Sequence, residues 1–305
     1  DACRRWCLGE LRLGGKCGSG WGEWQGINAS CLAGTNDRWT GVRILQICAG
    51  RVCGGCGAGS CERRVKRLFD IVASFVGLIV LSPFLLLGTF LVWLQDFHSP
   101  FYIPWRIGRG GKKFRMVKLR SMVHRADTSG VSSTAGDDSR ITWVGRIIRK
   151  FKLDEFPQLW NVLKGEMSLV GPRPNVEDET SLYTSDEKHL LDVRPGITDM
   201  ASIVFADESD ILKGHDNPDL AYNQLIRPWK SRLGLLYVEH ASFWLDVRLI
   251  FLTILAIVYR RPAVLRVGRL VQALGGNDAL CVVARRETEL TPYPPPGSDA
   301  VVTTR

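Results

Sequence analysis

Two adjacent acids, Asp154 and Glu155, stand at the head of a short amphipathic stretch and are the residues best placed for chemistry in this chain. They admit two readings. In the first they are structural, because aspartate is a favoured helix N-cap and the helix dipole favours glutamate in the first turn. In the second they act on a substrate. Glycoside hydrolysis is a poor use of the pair: its carboxyls must flank a bond from opposite sides, whereas helical neighbours point about 100° apart from one backbone. Phosphoryl chemistry suits them better, with one carboxylate attacking phosphorus while the other holds a divalent metal. Cations gather around them in the sequence, at Lys118, Arg120, Arg140, Arg149, Lys150, Lys152 and Arg173. Arg173 differs from an ordinary surface arginine. It lies in Gly171-Pro172-Arg173-Pro174, where two fixed proline φ angles stiffen the turn that presents it. A guanidinium so held can take a phosphate through two parallel hydrogen bonds. Nucleic acid is disfavoured as the anion, since no base-reading motif or interleaved aromatic platform accompanies the cations. His98, His124, His189, His215 and His240 lack metal-ligand spacing.

The elements that must position these residues are legible in outline. Ile103 to Ile107 and Phe114 to Leu119 flank a glycine-rich turn and predict a β-hairpin. Ser129 to Ser139 reads as a polar loop. A helix is expected from Asp154, with Pro157 tolerated in its first turn, Leu159 and Leu163 on its apolar face and Gly165 closing it. Upstream, Ile71 to Leu94 runs for 24 residues without a charge. As a helix it reaches roughly 36 Å, against a hydrocarbon core of about 30 Å. Pro83 in its middle predicts a kink, and Ser82 can bond the backbone carbonyl that proline leaves free. Both flanks are basic: Arg63, Arg64, Lys66 and Arg67 before the run, Arg106 to Arg120 after it. The positive-inside rule favours the cytoplasm for each, so a hairpin entering and leaving by one face stands beside a kinked span. Residues 241–259 are apolar with Asp246 and Arg248 inside, and suit a packed helix or an interfacial one.

Composition limits what these elements can serve. The chain has 305 residues, 45% hydrophobic and 23% charged, which excludes a disordered or collagenous protein. Its net charge of +9 is uneven: residues 63–152 hold 17 Lys and Arg against 5 Asp and Glu. A local basic block calls for a local anionic partner, such as a phosphorylated substrate or acidic lipid. Eight of the nine cysteines fall within residues 1–61, and Cys281 stands alone in the rest. The body therefore reads as a protein of a reducing compartment. Cys48, Cys53, Cys56 and Cys61 could hold zinc, but only Cys53 and Cys56 have familiar spacing, and the glycine-rich stretch shows no helical or strand period. It is expected to be an unstructured, dispensable extension. No apolar core precedes a small-residue cleavage site, so it is not read as a secretory signal.

Taken together, the strings KRLFDIVAS, LSPF, SPFYIPWRIGRGGKKFRMVKLRSM and DDSRITWVGRIIRKFKLDEFPQLWNVLKGEMSLVGPRP, followed by Arg194-Pro195-Gly196-Ile197-Thr198, resemble the bacterial sugar transferase family. These are monotopic phosphoglycosyl transferases that begin glycan assembly on a polyprenyl phosphate. The resemblance implies an α/β, mostly helical membrane protein. Its parts are a re-entrant helix-break-helix over 62–98, broken at Ser82-Pro83, and a compact cytoplasmic catalytic domain over 99–235. An amphipathic helix over 236–262 and a flexible tail over 263–305 follow. It further implies that Asp154 is the nucleophile, that Glu155 helps bind Mg²⁺, and that Lys118, Arg120 and Arg173 engage substrate phosphates, with Arg149 and Arg194 in the same set. The partners implied are a nucleoside diphosphate sugar, most naturally a UDP-sugar, undecaprenyl or another polyprenyl phosphate, and lipids at the cytoplasmic face of the inner membrane. The pathway implied is exopolysaccharide or surface-glycan synthesis. Residues 199–208 depart from the family's usual pattern, which leaves the chemistry alone and bears on sugar preference. A non-catalytic membrane protein with a basic lipid-binding face, and a conventional glycosyltransferase, are the rival classes.

Overall fold

The computed structural model describes residues 58–126 and 138–303. Residues 1–57, with Cys48, Cys53 and Cys56, and most of the loop expected at Ser129 to Ser139 lie outside the described residues, while residues 58–61, expected to be unstructured, open the first helix. The apolar run forms one helix, α1 (Ala58–Asp96), with Pro83 inside it. The break expected at Ser82-Pro83 does not interrupt the helix. Pro83 cannot donate to the carbonyl of Ile79 four residues back, and the Ser82 hydroxyl donates to that same carbonyl at 2.7 Å. Among the described residues α1 is the one helix long and apolar enough to cross a membrane. Most of its apolar surface has no protein against it, Leu68 being 64% and Leu86 71% exposed.

Yet both ends of α1 are tied to the same body. Near its start, Lys66 pairs with Asp246 and donates to Val170 O at 3.1 Å, and Arg67 donates to Val162 O at 2.7 Å and Leu163 O at 3.0 Å. The buried Asp70 accepts from the Ser168 hydroxyl at 2.8 Å. At its end, Asp96 receives the Arg120 guanidinium through two bonds of 2.6 Å.

The expected hairpin is present as two short ladders. β1 (Phe101–Tyr102) pairs with β4 (Lys118–Leu119), and β2 (Trp105–Ile107) with β3 (Lys113–Arg115), all antiparallel. Gly110 and Gly111 turn the chain with φ of 66° and 75°, values open to glycine at little cost. Then come α2 (Trp143–Lys150), capped by Thr142, and α3 (Gln158–Lys164), closed by Gly165 in the left-handed conformation as its sequence implies. A parallel pair follows, β5 (Ser168–Val170) and β6 (Gly196–Thr198), enclosing α4 (Glu177–Ser181). The remaining helices are α5 (Met200–Val204), α6 (Glu208–Ile211), α7 (Pro218–Ala221), a π-helical turn over Tyr222–Ile226, α8 (Arg227–His240), α9 (Phe243–Val258), α10 (Arg260–Ala273) and α11 (Asp278–Arg285).

The largest core joins α5, α8, α9, α10 and α11. This corrects the flexible tail expected over 263–305. Ala263, Val264, Val267, Leu270 and Val271 recur at helical spacing and are buried, as are Leu280 and Val283. The proline-rich end is held too: Tyr293 lies 4.4 Å from the Trp229 ring, and the Pro294 and Pro296 carbonyls accept from Arg232 and Thr184. Ending the chain at residue 262 is therefore expected to leave no stable body. Each buried apolar side chain contributes about 2 kcal/mol, against a total stability of about 5–15 kcal/mol. A truncated protein that resists limited proteolysis like the full chain would contradict this.

Two helices keep an apolar face uncovered beside α1. In α2 and just past it, Trp143, Ile147 and Phe151 are exposed while Val144 and Ile148 are buried; in α9, Trp244, Phe251, Ile254 and Val258 are exposed while Leu245, Leu249 and Leu252 are buried.

Candidate active site

Asp154 and Glu155 sit in a single 3₁₀ turn, Leu153–Glu155, between α2 and α3. Lys152 enters it with φ of 57°, a left-handed conformation that a β-carbon-bearing residue adopts only where its surroundings impose it. The helix expected from Asp154 thus begins later, at Gln158, after Pro157. Asp154 caps nothing: its Oδ1 is buried without a hydrogen-bond partner. The structural reading of this acid has no bond to rest on.

Opposite stands the turn that carries Arg173. Gly171 N donates to Thr198 O at 3.0 Å, and Gly196 N donates to Pro172 O at 3.0 Å, so the turn is clamped to the parallel pair. Glycine is required at both positions, since a β-carbon on Gly196 would stand 2.1 Å from Gly171 N and one on Gly171 2.5 Å from Arg194 O. The clamp delivers the Arg173 guanidinium to Glu155, with Nη2 donating to Oε1 at 2.6 Å. The strand bearing Lys118 is fixed by the buried Asn161 of α3, which accepts from Val117 N at 2.9 Å and donates to Arg115 O at 2.7 Å. Sequence reading did not single out Asn161, and its polarity on a buried helix face was the available signal.

Glu155, Arg173, Lys118, Lys152 and Arg106 line one cavity of about 370 Å³. Arg106 was read only as part of the basic block. Asp154 does not line the cavity, but the groups that perturb it most, Glu155, Lys118, Lys152 and Arg173, all do. Burial and the neighbouring Glu155 charge push Asp154 above the usual carboxylate range. Burial acts on Glu155 in the same sense, but Arg173, Lys152 and Lys118 outweigh it and bring Glu155 down to about 2. Burial, helped by Arg173, lowers Lys118 to about 8 against the pull of the two acids.

The other expected cations fall elsewhere. Arg120 is buried and both its terminal nitrogens are held by Asp96, so it secures the end of α1 instead of meeting a phosphate. Arg194 donates to Gly165 O at 3.0 Å and stands outside the cavity. Arg140 is paired with Asp138 at 2.6 Å. Arg149 donates to the Ser121 hydroxyl at 2.9 Å, interacts electrostatically with Asp154 and does not line the cavity. Lys150 is exposed beside the Phe151 ring.

The site is thus a half-buried acid pair facing a clamped set of cations, beside a helix with uncovered apolar faces. Residues 61–260 match the bacterial sugar transferase profile, and the chain belongs to that family. It is 42% identical over 135 residues to the exopolysaccharide production protein ExoY of Sinorhizobium fredii, covering 39% of this chain and 60% of that one. It is 36% identical over 217 residues to the undecaprenyl-phosphate galactose phosphotransferase of Salmonella typhimurium, covering 66% of this chain and 42% of that one. A third relative is the UDP-N-acetylgalactosamine-undecaprenyl-phosphate N-acetylgalactosaminephosphotransferase of Aeromonas hydrophila, 31% identical over 203 residues, with 64% and 44% covered. The match thus spans about half the length of these relatives.

Proposed function

We propose that the protein transfers a sugar 1-phosphate from a nucleoside diphosphate sugar, of the UDP class, to a polyprenyl phosphate. The products are a polyprenyl diphosphate sugar and a nucleoside monophosphate, in the opening step of exopolysaccharide or surface-glycan assembly. The observation that carries this reading is the Asp154-Glu155 pair held against Arg173 and Lys118 beside α1. The names of the relatives point the same way.

In this reading an Asp154 oxygen attacks the phosphorus that bears the sugar. The bond from that phosphorus to the nucleotide's bridging oxygen breaks, and nucleoside monophosphate leaves with the electron pair. The resulting sugar-phosphoryl aspartate is attacked at the same phosphorus by an oxygen of the polyprenyl phosphate, which returns Asp154 as a carboxylate. An anhydride is exchanged for an acyl phosphate and back, so no outside energy is needed. Arg173 and Lys118 offset the charge of two polyanions brought together. The residues also suit Mg²⁺. Among the described residues no three metal-ligating side chains cluster, and Mg²⁺ commonly takes one or two carboxylates together with substrate phosphates. Glu155, one oxygen of which Arg173 takes, and the unpartnered Oδ1 of Asp154 are the groups that would hold it. When bound, the ion supplies neutralisation of phosphate charge.

Membrane placement follows the same reading. The ends of α1 both pack on one body, which supports entry and exit by the same, cytoplasmic face, because a span would part them. The uncovered faces of α2 and α9 and the exposed Trp93, Trp105, Trp143, Trp160 and Trp244 suit a body lying in the membrane interface. Single cysteines at positions 62 and 99, with the native cysteines replaced, are expected to be equally shielded from an impermeant thiol reagent in intact cells. Labelling at 99 alone would establish a span.

The pH dependence has two expected limbs. Asp154 must be ionised to attack, and its raised pKa means that donor kcat/KM falls with acidity sooner than for an ordinary aspartate. Lys118 must be charged, so kcat/KM falls again as pH rises through about 8. Lys118→Arg should move the basic limb upward, because guanidinium stays protonated. An unmoved limb would remove Lys118 from the substrate.

The released nucleotide tests the function itself. Incubation with UDP-sugars and undecaprenyl phosphate should give monophosphate. Diphosphate would mark a conventional glycosyltransferase, and no release at all a non-catalytic protein.

A further inference from the structure

The cavity has a second stretch of wall that the phosphate chemistry leaves unused. It is built by α5, α6 and the start of α8, and carries Ser202, Glu208, Ser209, Tyr222 and Lys230. Lys230 pairs with Glu208, and its ammonium stands 5.1 Å from the centre of the Tyr222 ring. Tyr222 opens the π-helical turn Tyr222–Ile226, a rare irregularity that concentrates at functional sites. This ion pair is half-buried, with Lys230 20% and Glu208 34% exposed, and lines the same cavity as Arg173.

The chemistry of this wall is specific. It carries three hydroxyls, one carboxylate and one ammonium; the Ser202 hydroxyl donates to Asp199 at 2.6 Å and is left to accept, while the hydroxyls of Ser209 and Tyr222 can do either. A phosphate would be repelled by Glu208, and Asp199 and Glu179 line the cavity nearby. A nucleobase would seek an open aromatic face, and Lys230 occupies one face of Tyr222. The Tyr222 hydroxyl remains a donor, because burial and the carboxylates of Glu208 and Glu179 hold it protonated. Such an array matches a ring of neutral hydroxyls. Two of its residues, Ser202 and Glu208, fall within residues 199–208, where the sequence departs from the family's usual pattern.

We propose that Ser202, Glu208, Ser209 and Lys230 bind the sugar ring of the donor and select neutral, hydroxyl-bearing sugars over those carrying a carboxylate. This rests on the transferase reading above, and it adds which wall reads the sugar. Glu208 accepts from ring hydroxyls while Lys230, shared between Glu208 and the ligand, donates to them. A uronate placed there would set a second carboxylate against Glu208.

The test uses the full chain in detergent or nanodiscs, with undecaprenyl phosphate and UDP-glucose, UDP-galactose, UDP-N-acetylgalactosamine and UDP-glucuronate as donors. The wild type is expected to favour at least one neutral donor over UDP-glucuronate by about tenfold or more in kcat/KM. Glu208→Gln should lose about tenfold or more for that donor and narrow the gap to UDP-glucuronate several-fold. Ser209→Ala, which disturbs no charge, should raise the donor KM alone. The undecaprenyl phosphate KM and inhibition by UMP should stay unchanged in both variants. Donor kinetics unaltered in Glu208→Gln and Ser209→Ala, with normal monophosphate release, would overturn this proposal alone. Weakened UMP inhibition in step with the donor would also overturn it, by assigning the wall to the nucleoside. Absence of monophosphate release from every donor by the wild type would overturn both readings together.

Discussion

Asp154→Asn is expected to lower turnover by about 1,000-fold or more while leaving the thermal midpoint nearly unchanged. The side chains match in shape, so the 3₁₀ turn is not disturbed sterically. Asp154 Oδ1 is buried with no hydrogen-bond partner to lose, and replacing this half-buried carboxylate with a neutral amide removes part of a desolvation cost. What disappears is the attacking oxygen. A residue that served only the fold would show the opposite pattern, with a lower midpoint and near-normal rates. Measuring kcat and the thermal midpoint on the same preparation separates the two.

Arg173→Lys is expected to lower donor kcat/KM by about 100-fold, although the charge is kept. The Gly171-Pro172-Arg173-Pro174 clamp fixes the backbone, so a lysine there cannot reproduce the planar fork that reaches both Glu155 and a phosphate. A second consequence follows from its charge. Arg173 also holds the Asp154 carboxyl down, so Arg173→Ala should raise Asp154 further and carry the acidic limb of kcat/KM to higher pH. Were Arg173 only a structural partner of Glu155, the lysine variant would pair with it and lose little activity.

The acid pair proposed for catalysis stood out because its members are adjacent in sequence and unusual together, and Arg173 because two prolines and a glycine surround it. The β-hairpin and the Gly165 stop were legible for the same local reason: turn chemistry and helix termination are written within a few residues. Arg120 was not legible. Its partner Asp96 lies 24 residues away at the far end of α1, and nothing local distinguishes it from Lys118, which does line the cavity. Arg194 misled in the same way, by standing in a recognisable string while donating to Gly165 O. The tail over 263–303 was misread for a different reason. Its apolar positions do follow a helical period, but exposed arginines at 261, 266 and 269 and the prolines beyond gave it a polar look. The buried half of α10 decided the outcome. The helical continuity at Ser82-Pro83 turned on one hydroxyl reaching one carbonyl, Ile79 O, which the sequence allowed without requiring.

Covalent chemistry at Asp154 is the claim on which the rest depends, and it can be observed without the lipid acceptor. The full chain is mixed with an accepted UDP-sugar in the absence of polyprenyl phosphate, quenched, and examined for released nucleotide and for the mass of the peptide carrying Asp154. The expected result is a burst of UMP approaching one equivalent per enzyme, with a sugar-phosphate adduct on that peptide that disappears when undecaprenyl phosphate is added. No burst and no adduct, with UMP appearing only once the lipid acceptor is present, would mean direct transfer within a ternary complex and would contradict the mechanism.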